Sequence, residues 1–208
     1  MADTQGLRER KKIATRQALS TAALRLAMER GPDNVRVDDI AEAAGVSPRT
    51  YNNYFSSREQ AIVAAITAER AARVAAAVRA HPPDVPLAKA VTTAVILSYT
   101  SEPASDAISM ITSSPRLRTE FVDAVSAIGE TLAAAIAERI GGRDTLRPAA
   151  LAAAVTAAAR VALDNWVRPV GMGLVVVHGK RPLVELLEEA LGAVAPALQA
   201  AEEKEVSN

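Results

Sequence analysis

Five neighbours in one short stretch, Arg49, Thr50, Asn52, Asn53 and Tyr54, all carry groups that hydrogen-bond. Their types matter more than their polarity. A face that merely stays wet is usually built from Lys and Glu. Arg instead matches guanine bidentately and Asn matches adenine, while hydroxyls and amides suit phosphate oxygens. An ordinary helical hairpin with a solvated face is the plainer reading of the same residues. Other chemistry has little to stand on. The two histidines, His81 and His178, lie far apart in stretches bounded by Pro or Gly, and a two-histidine metal site is the only metal reading they offer. The chain has no GxSxG, HExxH, P-loop or dinucleotide fingerprint. No enzyme activity, no metal and no cofactor is therefore expected. The absence of cysteine excludes disulfides and thiolate ligands and fits a reducing compartment.

Two short elements must position the polar five. Val37, Ile40, Ala41 and Ala44 recur at i, i+3, i+4 and i+7, giving a first helix one apolar stripe. Asp38 and Asp39 fall in its first turn, where the helix dipole favours acids. Gly45 then stands where the chain must turn left-handed. Ser47-Pro48 restarts a helix, with Ser47 as N-cap and Pro48 at the first helical position. Tyr51 and Phe55, four apart, face back onto the first helix, so the other side chains of the second point away. Two short helices joined by a glycine turn, the second presenting a polar face, read as a helix-turn-helix.

Around this pair, a leading helix should run from about Arg8 to Glu29, burying Leu19, Ala22, Ala23, Leu26 and Ala27 and ending at Gly31-Pro32. At its start Arg8, Arg10, Lys11, Lys12 and Arg16 face only Glu9. Such a run is a solvated tail in most chains, but beside a recognition helix it becomes an arm for gripping phosphates. Ser56 to Glu59 reads as a capping box, with Ser56 at the cap and Glu59 at N3, opening a helix that continues to about Ala80.

The whole chain permits this. With 208 residues, half of them hydrophobic and 3% aromatic, Ala dominates, and the fold class expected is all-α with about nine helices. The one β-branched run, Leu174 to Val177, has no partner segment for a sheet. The 24 basic and 24 acidic residues balance to zero, so charge alone does not announce a nucleic-acid binder. The N-terminus lacks an apolar signal core, and the longest nearly apolar run, Ala149 to Ala159, falls short of the ~20 residues that span a bilayer. A soluble cytoplasmic protein, with no membrane partner, is the expectation.

Beyond Pro86 the pattern is helical and poorly marked. Leu87, Ala90, Val91, Ala94, Val95 and Ser98 mark a fifth helix, and Ala104–Ser113 a short sixth. Ser114-Pro115 opens a long seventh that carries Val122, Val125, Gly129, Leu132, Ile136 and Ile140 and stops at Gly141-Gly142. An eighth should run from Leu146 to about Arg168, and Leu183 to Val194 marks a ninth. On the eighth, Thr156, Arg160, Asp164 and Arg168 recur every four residues, as an ion-pair ladder or as a polar anchor inside an apolar pocket. Asn165 and the lone tryptophan, Trp166, could line the same cavity, although core filling is the default for Trp166. The small residues of Ala149–Ala162 permit close approach of another helix.

From Arg8 to Ile66 the chain resembles the N-terminal DNA-binding domain of the tetracycline-repressor (TetR) family of bacterial transcription regulators. The resemblance is carried by the run Asp39 to Ser47 (DIAEAAGVS), by Thr50, by the Tyr54-Phe55 pair and by Ser57-Arg58-Glu59. Asn52 stands where many members place an aromatic residue, Arg58 replaces the usual Lys, and Arg49 replaces a common Gly. The resemblance implies a helix-turn-helix domain over residues 1–57 and a helical effector-binding and dimerisation domain over 58–208. It implies a pseudo-palindromic double-stranded DNA operator, contacted by Lys11, Lys12, Arg36, Ser47, Arg49, Thr50, Asn52, Asn53, Tyr54 and Arg58. It also implies homodimerisation through helices at about 146–168 and 181–200. A pocket for an unknown small-molecule effector follows on the same grounds, with Tyr99, Met110, Phe121, Arg160, Asn165 and Trp166 as its candidate lining. The few aromatics and many aliphatic side chains favour a hydrophobic or amphipathic effector. The expected function is a ligand-released repressor. Two alternatives are a helical small-molecule-binding protein that has lost DNA, and an architectural DNA binder without effector control.

Overall fold

The computed structural model describes residues 2–100, 104–141, 146–167 and 181–203. Among these there is no strand, and the fold is all-α. Arg168, the Leu174–Val177 run and His178 lie outside the described residues.

Two compact units emerge, one of Met1–Thr67 with Ser109–Phe121, the other of Ala68–Ile108 with Val122–Asn208. In the first, α1 (Ala2–Arg30) begins well before the expected Arg8. Gly6 lowers helix propensity by ~1 kcal/mol without stopping the helix, and no proline precedes it. Its buried stripe is Leu19, Ala22, Ala23, Leu26 and Ala27, as the periodicity predicts. A 3₁₀ turn, Pro32–Asn34, then leads into α2 (Val37–Ala43) and α3 (Pro48–Asn52). Ile40 and Ala41 of α2 and Tyr51 and Phe55 around α3 are all buried, with α2 packed against α1 and α3, and Ile62 and Ile66 of α4 (Arg58–Ala80) are buried too.

The start of α4 corrects the expected capping. The cap is Ser57, one residue later, whose Oγ accepts from the Gln60 amide at 3.0 Å. The Gln60 side chain reaches back to the Ser56 amide at 2.8 Å. Glu59 is thereby freed from capping and is buried instead, accepting from Arg58 Nε at 3.0 Å. The reason is local: Gln60 can serve as the reciprocating residue, and placing it at N3 moves the helix start forward by one.

The second unit holds α5 (Leu87–Thr100), α8 (Gly129–Ile140), α9 (Leu146–Val167), α10 (Leu183–Gly192) and α11 (Ala195–Glu203). Here α9 packs against both α8 and α10, and α5 against α10 and α11. The α5 stripe from Leu87 to Ser98 is buried as expected. Between the units' sequences, α6 (Ala104–Ser113) and α7 (Pro115–Ala124) complete the order.

Two expected long helices are broken. The seventh gives way to a 3₁₀ turn, Val125–Ile128, before α8. Val125, Ser126 and Gly129 are weak helix formers, and the tighter turn re-aims the chain there. The ninth ends at Gly192 and restarts as α11, because Pro196 fits only an opening turn. Gly141 does stop α8, at φ 73°. The apolar run around Ala149 extends further than the sequence suggested. Helix α9 is long and apolar enough to cross a membrane, and its buried positions, among them Leu151, Val155 and Leu163, are packed within the unit.

Candidate nucleic-acid interface

The turn between α2 and α3 is built as its residue types demand. Gly45 adopts φ 68°, and the Gly45 and Val46 amides bond to the carbonyls of Glu42 and Ala41. Ser47 is extended and its Oγ accepts from the Thr50 amide at 3.2 Å, while Pro48 takes the first helical position. Ser47 Oγ also lies 3.0 Å from Thr50 Oγ1. Two of the candidate contact residues thus spend hydrogen bonds on starting α3.

The inward face of α3 is fixed by aromatic packing. The rings of Tyr51 and Phe55 stand 5.8 Å apart at 41°, a tilted pair. Tyr51 is fully buried, and its hydroxyl donates to the Ser57 carbonyl at 2.7 Å. Burial, with Glu59 nearby adding to it, pushes that hydroxyl up to about 12. With Tyr51 and Phe55 turned in, Arg49, Asn52 and Asn53 are exposed and Thr50 and Tyr54 half-buried. The polar five therefore lie where the periodicity placed them, on and just after a helix whose apolar side is anchored.

Lys11, Lys12 and Arg36 are exposed. The Arg36 amide is capped by Asp39 Oδ2 at 3.3 Å, which starts α2. Arg58 behaves differently from its neighbours in the expected contact set. Its Nη1 donates to the carbonyls of Asp33 (2.9 Å) and Val35 (3.0 Å), its Nε to Glu59, and its Nη2 lies 3.5 Å from Asp33 Oδ1. This guanidinium ties the α1–α2 link to α4 rather than presenting a bare charge. A lysine could not make that forked set, so Arg in place of the common Lys is a structural change as well as an electrostatic one.

Sequence reasoning placed Arg16 in the phosphate-gripping arm but not against the end of α3. Arg16 stacks its guanidinium 4.5 Å from the centre of the Phe55 ring and donates from Nη1 to the Tyr54 carbonyl at 3.0 Å. Its signal was present in the basic run, where Arg8, Lys12 and Arg16 recur every four residues.

The candidate effector residues fall in both units. Met110 and Phe121 are buried in the first unit. In the second, Tyr99 is buried with the Arg70 guanidinium 4.2 Å above its ring, and Arg70 Nε donates to the Ser98 carbonyl at 3.2 Å. Burial pulls Arg70 down from its ordinary range and pushes the Tyr99 hydroxyl up. A sequence signal for Arg70 existed: it interrupts the strict apolar series Ile62, Ile66, Val74, Val78, all buried. Asn165 is exposed and donates to the Val161 carbonyl at 2.8 Å, while Trp166 is half-buried. Arg160 is exposed and pairs with Asp123 at 3.0 Å, and Thr156 is buried and bonds back to Ala152 and Ala153. The four-residue spacing therefore does not make one ladder among the described residues: Thr156 turns in and Arg160 out. Arg160 and Thr156 border an open groove of about 580 Å³ between α8 and α9.

A basic arm, a capped glycine turn and an outward polar helix define a helix-turn-helix transcription regulator. Residues 19–65 match the profile of the bacterial regulatory proteins of the tetR family, and residues 85–199, just over half the chain, match the MftR C-terminal domain. The chain belongs to the TetR family of regulators, which are not enzymes. It is 41% identical over 63 residues to the HTH-type transcriptional regulator TcmR of Streptomyces glaucescens, and 45% identical over 51 residues to BetI of Rhizobium meliloti (strain 1021). Those matches cover 30% and 24% of this chain and only 28% and 25% of the two regulators. The fold is similar to that of the TetR-family repressor AlkX of Dietzia sp. strain DQ12-45-1b, with TM-score 0.54 and 20% identity over 89% of this chain and 97% of that one.

Proposed function

We propose that the protein is a homodimeric repressor that leaves its operator when a small hydrophobic or amphipathic molecule binds its C-terminal part. The observation that carries the DNA side is the outward set on α3, with Arg49, Asn52 and Asn53 exposed while Tyr51 and Phe55 are buried. Arg49, Thr50, Asn52 and Asn53 read bases or adjoining phosphates, and Lys11, Lys12, Arg36 and Tyr54 hold the backbone. Ser47 and Arg58 serve mainly by shaping the surface, given their internal partners. Dimerisation is supported by the outer side of α9, where Leu146, Ala150, Ala153, Ala157 and Val161 are exposed at helical spacing. A two-fold pair of such chains suits a pseudo-palindromic operator.

The domain match over residues 85–199 supports an effector-binding role for that part. Control of this kind requires effector and DNA to weaken each other reciprocally, typically by about 1–3 kcal/mol. The deciding experiment is selection of bound duplexes from a random pool, repeated with hydrophobic and amphipathic small molecules. A palindromic consensus whose recovery falls with one class of molecule supports the reading. Selection of a consensus that no such molecule disturbs removes the effector, and failure to select any sequence removes the repressor.

A further inference from the structure

We infer that Arg16 is a positioning residue for DNA reading: it fixes the far end of the recognition helix to α1 while ending the basic row that grips the backbone. This rests on the reading of α3 as the helix that meets DNA. The problem it solves follows from length. Helix α3 has five residues and closes on turn bonds from the Asn53, Tyr54 and Phe55 amides to the Thr50 and Tyr51 carbonyls, and a single turn of this kind cannot hold its own direction. Its N-terminus is fixed by Ser47, and its middle by the Tyr51 hydroxyl on Ser57. Its exit is fixed by Arg16, thirty-eight residues away in sequence, through Nη1 on the Tyr54 carbonyl and the guanidinium face on Phe55.

The two contacts use different properties of one group. The planar fork donates in its plane and stacks through its face, which a lysine ammonium cannot do at once. Phe55 is buried, so it is a rigid platform, whereas Arg16 itself is exposed and its charge stays open to an approaching polyanion. Arg8, Lys12 and Arg16 are all exposed and recur every four residues along α1, roughly 6 Å apart. The row that neutralises phosphates therefore ends on the residue that sets where α3 points. Any error in that direction moves Arg49, Asn52 and Asn53 off their base edges, so the inference concerns specificity more than bulk affinity.

The test compares the full-length wild type with Arg16→Lys and Arg16→Ala. Two duplexes of equal length are used, the sequence selected by the wild type from a random pool and a random-sequence pool, each across a salt series. The expected result for Arg16→Lys is about tenfold weaker binding to the selected duplex, with little change on random DNA and an unchanged salt slope. Arg16→Ala should lose the same specificity and, in addition, lower the salt slope by about 1 on both duplexes. Lys12→Ala is the control that lowers the slope and spares the specificity ratio. Thermal unfolding of each variant keeps a loss of fold apart from a loss of aim. Arg16→Lys with the wild-type specificity ratio overturns the positioning role alone. A wild type that selects no sequence overturns the DNA reading on which it rests, and the inference with it.

Discussion

The hydroxyl of Tyr51 donates to the main-chain carbonyl of Ser57 at 2.7 Å, so α3 is bolted to the residue that caps the next helix. The same side chain is fully buried against Phe55. One phenol therefore sets both the depth of α3 and its connection to α4. Tyr51→Phe keeps the packing and removes the bolt. A loss of about 1 kcal/mol in urea unfolding is expected, with the Ser57 carbonyl left to find water.

The pH dependence of that bolt has a definite sign. Burial raises the Tyr51 hydroxyl from 10.0 to about 12, so the folded state favours the neutral phenol. A group raised on folding contributes stability that is fully present below its unfolded value and is lost as pH climbs through the folded one. The window is about pH 10 to 12, and two units correspond to roughly 2–3 kcal/mol. Denaturation midpoints measured from pH 9 to 12 should fall more steeply for the wild type than for Tyr51→Phe. Tyr99, also raised by burial, contributes in the same direction, so the difference between the two proteins is the readout rather than either curve alone.

Arg58 and Lys12 contrast a cation that holds backbone with one that the proposed reading assigns to DNA. The Arg58 guanidinium holds two carbonyls of the α1–α2 link and the buried Glu59. Arg58→Ala should cost about 1–3 kcal/mol of stability and leave the salt slope of DNA binding near the wild-type value. Lys12→Ala should do the reverse. Arg49→Ala should instead relax the preferred sequence at one position, at a cost of about 1–3 kcal/mol on the preferred base. Salt-series binding on the selected duplex and on single-base variants distinguishes the three.

What was legible in the chain divides along physical lines. Local rules carried the helix-turn-helix: the Gly45 turn, the Ser47 cap, and the inward Tyr51 and Phe55 each depend on neighbours within a few residues. Long-range partners were not legible. Nothing near Arg58 in sequence announces Asp33 and Val35, and nothing near Arg16 announces Tyr54. The α4 start was misplaced by one residue because Glu59 and Gln60 are both acceptable reciprocators, and packing of Glu59 decided between them. In the C-terminal half the apolar pattern runs on across Val125 and Gly192, so periodicity alone does not mark the breaks there. The four-residue spacing from Thr156 misled for a simpler reason. Thr156 lies at the edge of the buried stripe of α9, and because four residues overshoot a 3.6-residue turn the next step carries Arg160 past that edge into solvent.

Gly45 offers a clean measure of backbone cost. Its φ is 68°, and a methyl built there would meet nothing within 4 Å. Space is therefore not the obstacle, and conformation is. Gly45→Ala should destabilise by about 1–2 kcal/mol, the expense of a left-handed L-residue. Gly45→Asn should cost less, because Asn tolerates that region better. If the two variants unfold alike, the turn itself has shifted.

Two arginines of the second unit provide the last contrast, between a cation that holds backbone and one that pairs on the surface. Arg139 donates to the carbonyls of His81 and Pro82, at 2.8 and 2.7 Å, and to that of Val85, all in the segment joining α4 to α5. Those carbonyls cannot be satisfied by a helix, since the prolines at 82, 83 and 86 interrupt one. Among the described residues Arg160 pairs with Asp123, and both side chains are more than half exposed. An exposed pair of this kind contributes about 0–1 kcal/mol. Arg139→Ala should therefore lower stability by about 1–3 kcal/mol and speed hydrogen exchange locally around residues 81–90. Arg160→Ala should leave both nearly unchanged. Faster exchange after Arg160→Ala would show that its pairing with Asp123 orders more of the second unit than solvent screening allows.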